Sequence, residues 1–224
     1  MGYYIDYGTI TIDEYMEKLK YKTLIPSQMI LKERLEERFS YIKSLGIKNV
    51  LELEKALKNK QKLLELAQAP CLSEQYLSVL LREIKGRQPK PRKLTDFTHI
   101  SNDTLTKLQQ LSIKTSVHLY DKVLTPKSRK EFAEKTAIPY SDILELAQLT
   151  DLTRIQWVNT TFARVLYEAG YNTIEKVSNA DYEVLYKKIK KLNAERHLYK
   201  GNIGLNDMKI CVEEIERASC RERV

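Results

Sequence analysis

The stretch RIQWVNTTFARVLYEAGYNT, Arg154 to Thr173, joins a short turn to a helix, an arrangement that can bind phosphate. Its apolar residues follow the helix-hairpin-helix pattern I-x-G-V-G-x-x-x-A: Ile155, Val158 and Ala163. In such an element, glycines let the hairpin backbone approach a phosphate, and the start of the following helix favours an anion. Here Trp157 and Asn159 occupy the two glycine positions. The apolar pattern of the fold is kept, while the phosphate-binding pattern is weakened.

Another hairpin is predicted in the segment FTHISNDTL, which begins at Phe97. Its apolar residues match the same pattern, with His99 and Ser101 at the glycine positions: Phe97, Ile100 and Leu105. If both hairpins bind phosphate, the backbone amides of three consecutive residues in each would make the contacts. These amides belong to Trp157, Val158 and Asn159, and to His99, Ile100 and Ser101.

Two roles are open for Trp157. Its indole ring could stack on a base, or it could close the hairpin over the core. The bulk of the side chain at a position of close approach favours a packing corner first and a phosphate site second. If Trp157 fills the core, its removal is expected to destabilise the protein by about 3 kcal/mol or more. Asn159 is less disruptive, because asparagine tolerates left-handed dihedrals and can cap a helix.

Positive charge surrounds these hairpins in the sequence. Arg154 and Arg164 flank the hairpin that contains Trp157, and four lysines lie on a later predicted helix: Lys187, Lys188, Lys190 and Lys191. The apolar face of that helix is formed by Leu185, Ile189 and Leu192. A solvated helix face is slightly favoured over a phosphate-binding stripe. The net charge of +8 attracts polyanions if the positive residues share one surface.

The other residue patterns do not indicate catalysis. The three histidines, His99, His118 and His197, have no carboxylate, cysteine or second histidine at ligand spacing. We therefore predict no catalytic residue, no metal and no cofactor, and a protein that is not an enzyme. Three cysteines without a C-x-x-C pair fit a reducing compartment. The absence of a leader pattern and of a long apolar run predicts a cytoplasmic protein without a membrane partner.

An internal repeat organises the chain. In one alignment of the chain with itself, the first repeat register, Gly46 falls on Ser112, and the apolar residues of the flanking segments stay matched without a gap. In a second repeat register Ser112 falls on Gly170. The segments SLGIKN, QLSIKT and EAGYNT each predict a helix end with a left-handed residue, followed by a new helix capped by Asn49, Thr115 or Thr173.

The predicted fold class is all-α, with tandem helix-hairpin-helix repeats of short helices and no substantial sheet. Pro89 and Pro91 in the basic segment KGRQPKPRK interrupt the helical pattern. The predicted organisation is an N-terminal helical repeat unit at 1–88, a linker at 89–93 and a helix-hairpin-helix domain at 94–218. Residues 219–224 form a tail that resembles a foreign sequence.

From about Leu94 to Ala218 the chain resembles the bacterial helix-hairpin-helix family catalogued as domain of unknown function 4332. The resemblance rests on the DLTRI segment, the EAGYNTIEKV corner and the order of the predicted helix caps. The segment YLSVLLREIKGRQPKPRKLTDF resembles the part that precedes the domain in longer members. The resemblance implies a helical fold and no catalytic residues.

Two functions remain open from the sequence. The leading hypothesis is sequence-independent binding of a DNA or RNA backbone, with DNA favoured over RNA. The alternative is a scaffold that binds an unidentified protein, in which the hairpins serve only for packing.

Overall fold

The computed structural model describes residues 2–219, with side chains from residue 2 to residue 213. Within residues 2–219 the chain forms helices and no strand, which confirms the predicted all-α class. Two isolated β-bridges, Thr11 with Asn49 and Lys93 with Thr115, join extended residues beside helix starts. Residues 220–224 of the predicted tail lie outside the described residues.

The chain divides into two compact units. The first unit is residues 4–88, and it contains a 3-10 helix, Pro26–Lys32, and five α-helices: α1 Ile12–Tyr21, α2 Leu35–Ser44, α3 Val50–Lys58, α4 Lys60–Leu66 and α5 Glu74–Arg87. The second unit, as far as it is described, is residues 2–3 with 89–219. It contains a 3-10 helix, Leu94–Asp96, and eight α-helices: α6 Asn102–Gln110, α7 Ser116–Tyr120, α8 Pro126–Thr136, α9 Tyr140–Leu152, α10 Thr160–Glu168, α11 Ile174–Ser178, α12 Tyr182–Arg196 and α13 Leu205–Ser219.

The first unit has an apolar core with a buried ion pair inside it. Its largest fully buried side chains come from α1, α2, α3 and α5 and the 3-10 helix, and include Tyr15, Phe39, Leu53 and Tyr76. Lys22 Nζ lies 2.6 Å from Glu83 Oε1, and Gln28 Nε2 donates to Glu83 Oε2 at 2.8 Å. Burial, and after it the Glu83 carboxylate, raise the pKa of Tyr15 well above its ordinary value.

The second unit is built around helix α9. This helix contacts α7, α8 and α10, and four of its side chains are fully buried: Ile143, Leu146, Leu149 and Leu152. Helix α13 covers α11 and α12 and contributes Met208, Cys211 and Val212 to the same core. Because α9 has buried residues on most of its circumference, it is a central helix and not a surface helix.

The predicted linker is a folded part of the second unit. The Arg92 carbonyl accepts a hydrogen bond from Ser116 N–H at 2.8 Å, and Leu94 N–H donates to the Lys114 carbonyl at 3.0 Å. Residues 2–3 also belong to this unit and not to the predicted N-terminal unit. The Tyr3 hydroxyl lies 2.9 Å from Ser116 Oγ, and its ring packs edge-on against Tyr120. Backbone pairing thus holds a segment whose composition suggested a solvated linker.

The helix boundaries follow both predicted repeat registers. In the first register Val50 falls on Ser116, Lys60 on Pro126 and Glu74 on Tyr140, which are the first residues of three pairs of helices. The starts of α2 and α6 differ from this register by a single position. In the second register α10 falls on α6 and α11 on α7, and the paired helices have equal lengths of 9 and 5 residues.

The three predicted helix corners share one backbone geometry. Gly46, Ser112 and Gly170 have positive φ values of 82°, 60° and 86°, each two residues after the last residue of a helix. Ile113 N–H donates to the Leu108 carbonyl and Tyr171 N–H to the Leu166 carbonyl, both at 2.9 Å, which closes the helix ends.

The helices that follow these corners start at the predicted cap residues. The side chains of Asn49 and Thr173 accept hydrogen bonds from Glu52 N–H and Lys176 N–H. Thr115 occupies the predicted N-cap position of α7, but its side chain makes no hydrogen bond to the helix. The predicted capping by the Thr115 side chain is therefore wrong. Instead, Lys114 N–H faces His118 Nδ1 at 3.4 Å.

Ser112→Gly is expected to stabilise the protein, because serine incurs a steric penalty in the left-handed conformation that glycine avoids. Glycine loses more conformational entropy than serine on folding, which offsets part of the gain. We therefore expect the free energy of unfolding, measured in urea, to rise by about 0.5–1 kcal/mol. The same change at Ser44, the last residue of α2, should instead destabilise by up to about 1 kcal/mol. Equal effects at both positions would contradict a left-handed requirement at residue 112.

Candidate functional site

The turn at residues 155–159 keeps the backbone that a glycine hairpin would adopt. Trp157 has φ +75°, in the left-handed region that glycine occupies most readily. Ile155 and Val158 are buried on either side of it, and Val158 N–H donates to the Ile155 carbonyl at 3.1 Å. The Asn159 side chain accepts from Phe162 N–H at 2.8 Å and caps α10. The turn therefore has an inward apolar anchor, a left-handed residue and a capped helix.

The turn at residues 97–101 has the same sequence of features. His99 has φ +65°, Phe97 is buried, and Ile100 is half-buried against the core. Ser101 caps α6 by accepting from Thr104 N–H at 3.1 Å. The two turns are therefore equivalent in backbone shape, in the same second repeat register that relates α6 to α10.

Trp157 does not fill the core, because the residue is 58% exposed. The prediction that the Trp157 indole packs into the core and closes the hairpin is therefore wrong. Residue 157 lies in a left-handed turn whose neighbours Ile155 and Val158 supply the buried apolar contacts, and its own side chain is left exposed. His99 is exposed at the equivalent position.

Arg164 is not a surface charge, although the sequence suggested it as a phosphate contact. It is 3% exposed, and its guanidinium lies 2.6 Å from Glu145 Oε1 and 3.6 Å from Glu168 Oε1. The same guanidinium donates to the Thr98 carbonyl, next to His99. Arg164 thus ties α10 to α9 and to the 97–101 turn. Burial, and after it the Glu145 carboxylate, raise the pKa of the neighbouring Tyr167.

Arg154 is also engaged within the second unit. Its Nε donates to the Tyr3 carbonyl at 3.3 Å, its Nη1 lies 3.1 Å from Asp151, and its guanidinium stacks over Tyr120 at 4.6 Å. Its side chain is only 14% exposed. Desolvation raises the pKa of Asp151, and the guanidinium opposes this shift. Arg154 therefore positions the chain before the 155–159 turn and presents little charge to solvent.

The surroundings of the two turns differ in charge. Ser101 Oγ lies 3.3 Å from Asp142 Oδ2, and Thr104 Oγ1 donates to the same oxygen at 2.7 Å. A carboxylate beside the 97–101 turn disfavours a phosphate there. The 155–159 turn instead has the Arg92 guanidinium beside the Val158 carbonyl, at 3.5 Å. Of the two predicted hairpins, the one that contains Trp157 therefore has the more positive surroundings.

The four lysines of α12 lie on one side of the helix. Lys187, Lys188, Lys190 and Lys191 are exposed, and at 3.6 residues per turn they span about 160° opposite the buried Leu185 and Ile189. Lys188 Nζ lies 5.2 Å above the Tyr171 ring. A Cβ built on Gly170 would lie 3.6 Å from the same Nζ. This lysine stripe therefore borders the corner at the end of α10.

In the first unit, the turn before α2 has a different arrangement. Its left-handed residue is Arg34, φ 48°, directly before Leu35, and no side chain caps the helix. The Arg34 guanidinium pairs with Glu37 through two contacts of 2.6 and 2.5 Å. This turn lacks the capped geometry of the turns at 97–101 and 155–159.

Within the part of the chain that the structure describes, no group of three or more His, Cys, Asp or Glu side chains could hold a metal ion. Among the same residues, no helix has the length and apolar character needed to cross a membrane. The three histidines are exposed and lie in different elements: His99 in a turn, His118 in α7 and His197 at the end of α12.

Short capped helices joined by left-handed corners define an all-α protein of repeated helical units. Residues 98–218 match the family described as Domain of unknown function (DUF4332), and the chain belongs to this family. The matched residues begin at the first of the two equivalent turns and extend into α13. No curated protein and no solved structure gives a significant match to the chain.

Arg164→Ala is expected to destabilise the protein by about 3 kcal/mol in chemical unfolding, since it leaves Glu145 and the Thr98 carbonyl without their guanidinium partner. Arg196 provides the control, because it is 57% exposed and pairs with Glu168, which also contacts Arg164. Arg196→Ala should cost less than about 1 kcal/mol. Similar losses for both variants would contradict the structural role of Arg164.

Trp157→Gly is expected to leave the free energy of unfolding within about 1 kcal/mol of the wild-type value, because relief of the left-handed backbone offsets the lost contacts. Phe162→Ala, which removes a buried ring in the first turn of α10, should cost about 3 kcal/mol. Thermal and urea unfolding would measure both. A loss of about 3 kcal/mol at Trp157 would restore the core-filling interpretation.

Proposed function

We propose that the turns at 97–101 and 155–159 are the hairpins of helix-hairpin-helix elements in a bacterial cytoplasmic protein. The protein binds the sugar-phosphate backbone of nucleic acid, DNA in preference to RNA, without sequence specificity. It carries out no catalysis and needs no cofactor.

The observation that carries this proposal is the backbone of the two turns. His99 and Trp157 adopt φ values of 65° and 75°, although a non-glycine residue in this region is disfavoured by roughly 1–2 kcal/mol. Each turn is followed by a capped helix of nine residues. The start of such a helix carries backbone N–H groups and a partial positive charge that favour an anion. The left-handed turns and the capped helices that follow them support a phosphate-binding hairpin even though its glycines are absent.

The charge available for binding comes from α12 and not from the buried arginines. Lys187, Lys188, Lys190 and Lys191 remain exposed in the folded protein. Arg154 and Arg164 are engaged internally and act on binding only by positioning the turns. Val158 N–H is also engaged by the Ile155 carbonyl, so the contacts to phosphate fall to the neighbouring amides.

A second candidate function, the binding of a protein partner, is favoured by a feature of the helix corners. Leu45 and Leu111 occupy equivalent corner positions in the first repeat register, and they are 48% and 51% exposed. Leu111 and Phe132 line a cavity of about 390 Å³ together with Lys122 and Lys135. Exposed leucines at repeated positions suit contacts with an apolar partner surface.

Binding to a labelled DNA is expected to weaken steeply as salt rises from low to physiological concentration. Each neutralised phosphate contributes about −0.9 to the slope of log affinity against log salt on duplex DNA and about −0.7 on a single strand. Changing Lys187, Lys188 and Lys191 together to Gln should lower the magnitude of that slope by up to about 2 on a single strand and up to about 3 on a duplex, as measured by fluorescence anisotropy.

A matched triple variant in the first unit, with Lys55, Lys60 and Lys62 changed to Gln, removes equal charge from exposed positions outside α12. It should leave the slope close to the wild-type value. Equal effects of both variants would mean that net charge alone drives binding. Affinity that does not change with salt would rule out a backbone-binding function.

A further inference from the structure

Both turns of the second unit present a ring at the same backbone position. His99 and Trp157 occupy the first glycine position of each predicted hairpin, they share the left-handed conformation, and both are exposed. The residues on either side of each ring are anchored: Phe97 and Ile155 are buried before it, and Ser101 and Asn159 cap the following helix. Each ring is thus attached to a fixed backbone and remains open to solvent.

These rings change what the turns can bind. A glycine hairpin accepts a duplex phosphate because nothing lies between its backbone and the ligand. At position 157 the turn instead carries an exposed indole, which offers a flat apolar surface to a ligand. Stacked base pairs inside a duplex offer no face to such a ring, whereas every unpaired base exposes one.

We propose that Trp157 and His99 are stacking platforms for unpaired bases, and that the ligand of the second unit is single-stranded nucleic acid. This inference rests on the proposed function, and it names the form of nucleic acid that the same turns bind. The indole has the larger face, and the Arg92 guanidinium lies beside its turn, so Trp157 is the main platform. Asp142 beside the 97–101 turn makes His99 the weaker one.

The lysine stripe lies at the opposite end of the helix that Trp157 precedes. Helix α10 has nine residues and is therefore about 13 Å long. Lys188 borders the Gly170 corner at its C-terminal end. That length corresponds to about four nucleotides at the spacing of a B-form strand. A strand of a dozen nucleotides is long enough to reach from the Trp157 ring to the lysines.

Intrinsic fluorescence can observe this site directly, because Trp157 is the only tryptophan in the chain. Addition of an oligothymidine of twelve nucleotides to the full chain at low salt should quench the Trp157 emission in a saturable manner. A blunt duplex of twelve base pairs, at equal phosphate concentration, should quench it weakly or not at all.

Variants test the platform without loss of the fold. Trp157→Gly keeps the left-handed backbone, and we expect it to weaken binding of the labelled oligothymidine by between about fivefold and 150-fold in anisotropy. Trp157→Phe, which keeps a ring, should retain most of the affinity. Tyr21→Ala is the control, since it removes a 65% exposed ring from the first unit, and it should leave the affinity unchanged. His99→Gly should weaken binding less than Trp157→Gly.

The outcomes separate the inference from the function on which it rests. If neither the labelled single strand nor the duplex binds at low salt, nucleic-acid binding itself is refuted. If both bind in a salt-dependent manner, while Trp157 emission is unchanged and Trp157→Gly binds like the wild type, only the stacking inference is overturned. Tighter duplex binding by the wild-type chain would overturn it as well.

Discussion

The structure depends on how its short helices end. An isolated helix of 5–15 residues is marginal in water, so these helices are stable only when packed against one another. Such packing requires the chain to reverse within a few residues while the last carbonyls of each helix remain bonded. Gly46, Ser112 and Gly170 meet this requirement through a left-handed residue after the helix cap. The cores of both units form around the apolar faces that these corners bring together.

The same requirement shapes the turns before α6 and α10, with a different result. At His99 and Trp157 the chain adopts the left-handed conformation without glycine, so a side chain is placed on the outer side of the turn. The anchors Phe97 and Ile155 are buried, whereas the ring two residues later is exposed in both turns. An exposed ring on a fixed backbone is the direct consequence, and it is the reason that stacking is a more specific proposal than simple charge attraction.

Charge is distributed differently from what the composition suggests. The net charge of +8 includes arginines that serve the fold, since Arg164 is buried between two glutamates and a backbone carbonyl. A buried guanidinium requires partners for its donors, and those partners also neutralise it toward an outside anion. The four lysines of α12 are instead exposed, so their charge remains accessible to an outside anion.

The sequence by itself determined the all-α class, the two repeat registers and the left-handed corners, because caps and apolar periodicity act within a few residues. It also identified the two turns and the apolar face of α12. Only the tertiary structure decided that Trp157 is exposed, that Arg164 is buried and that Tyr3 packs in the second unit. Those outcomes depend on partners far along the chain, such as Thr98 for Arg164 and Ser116 for Tyr3, and no local pattern specifies which distant groups meet.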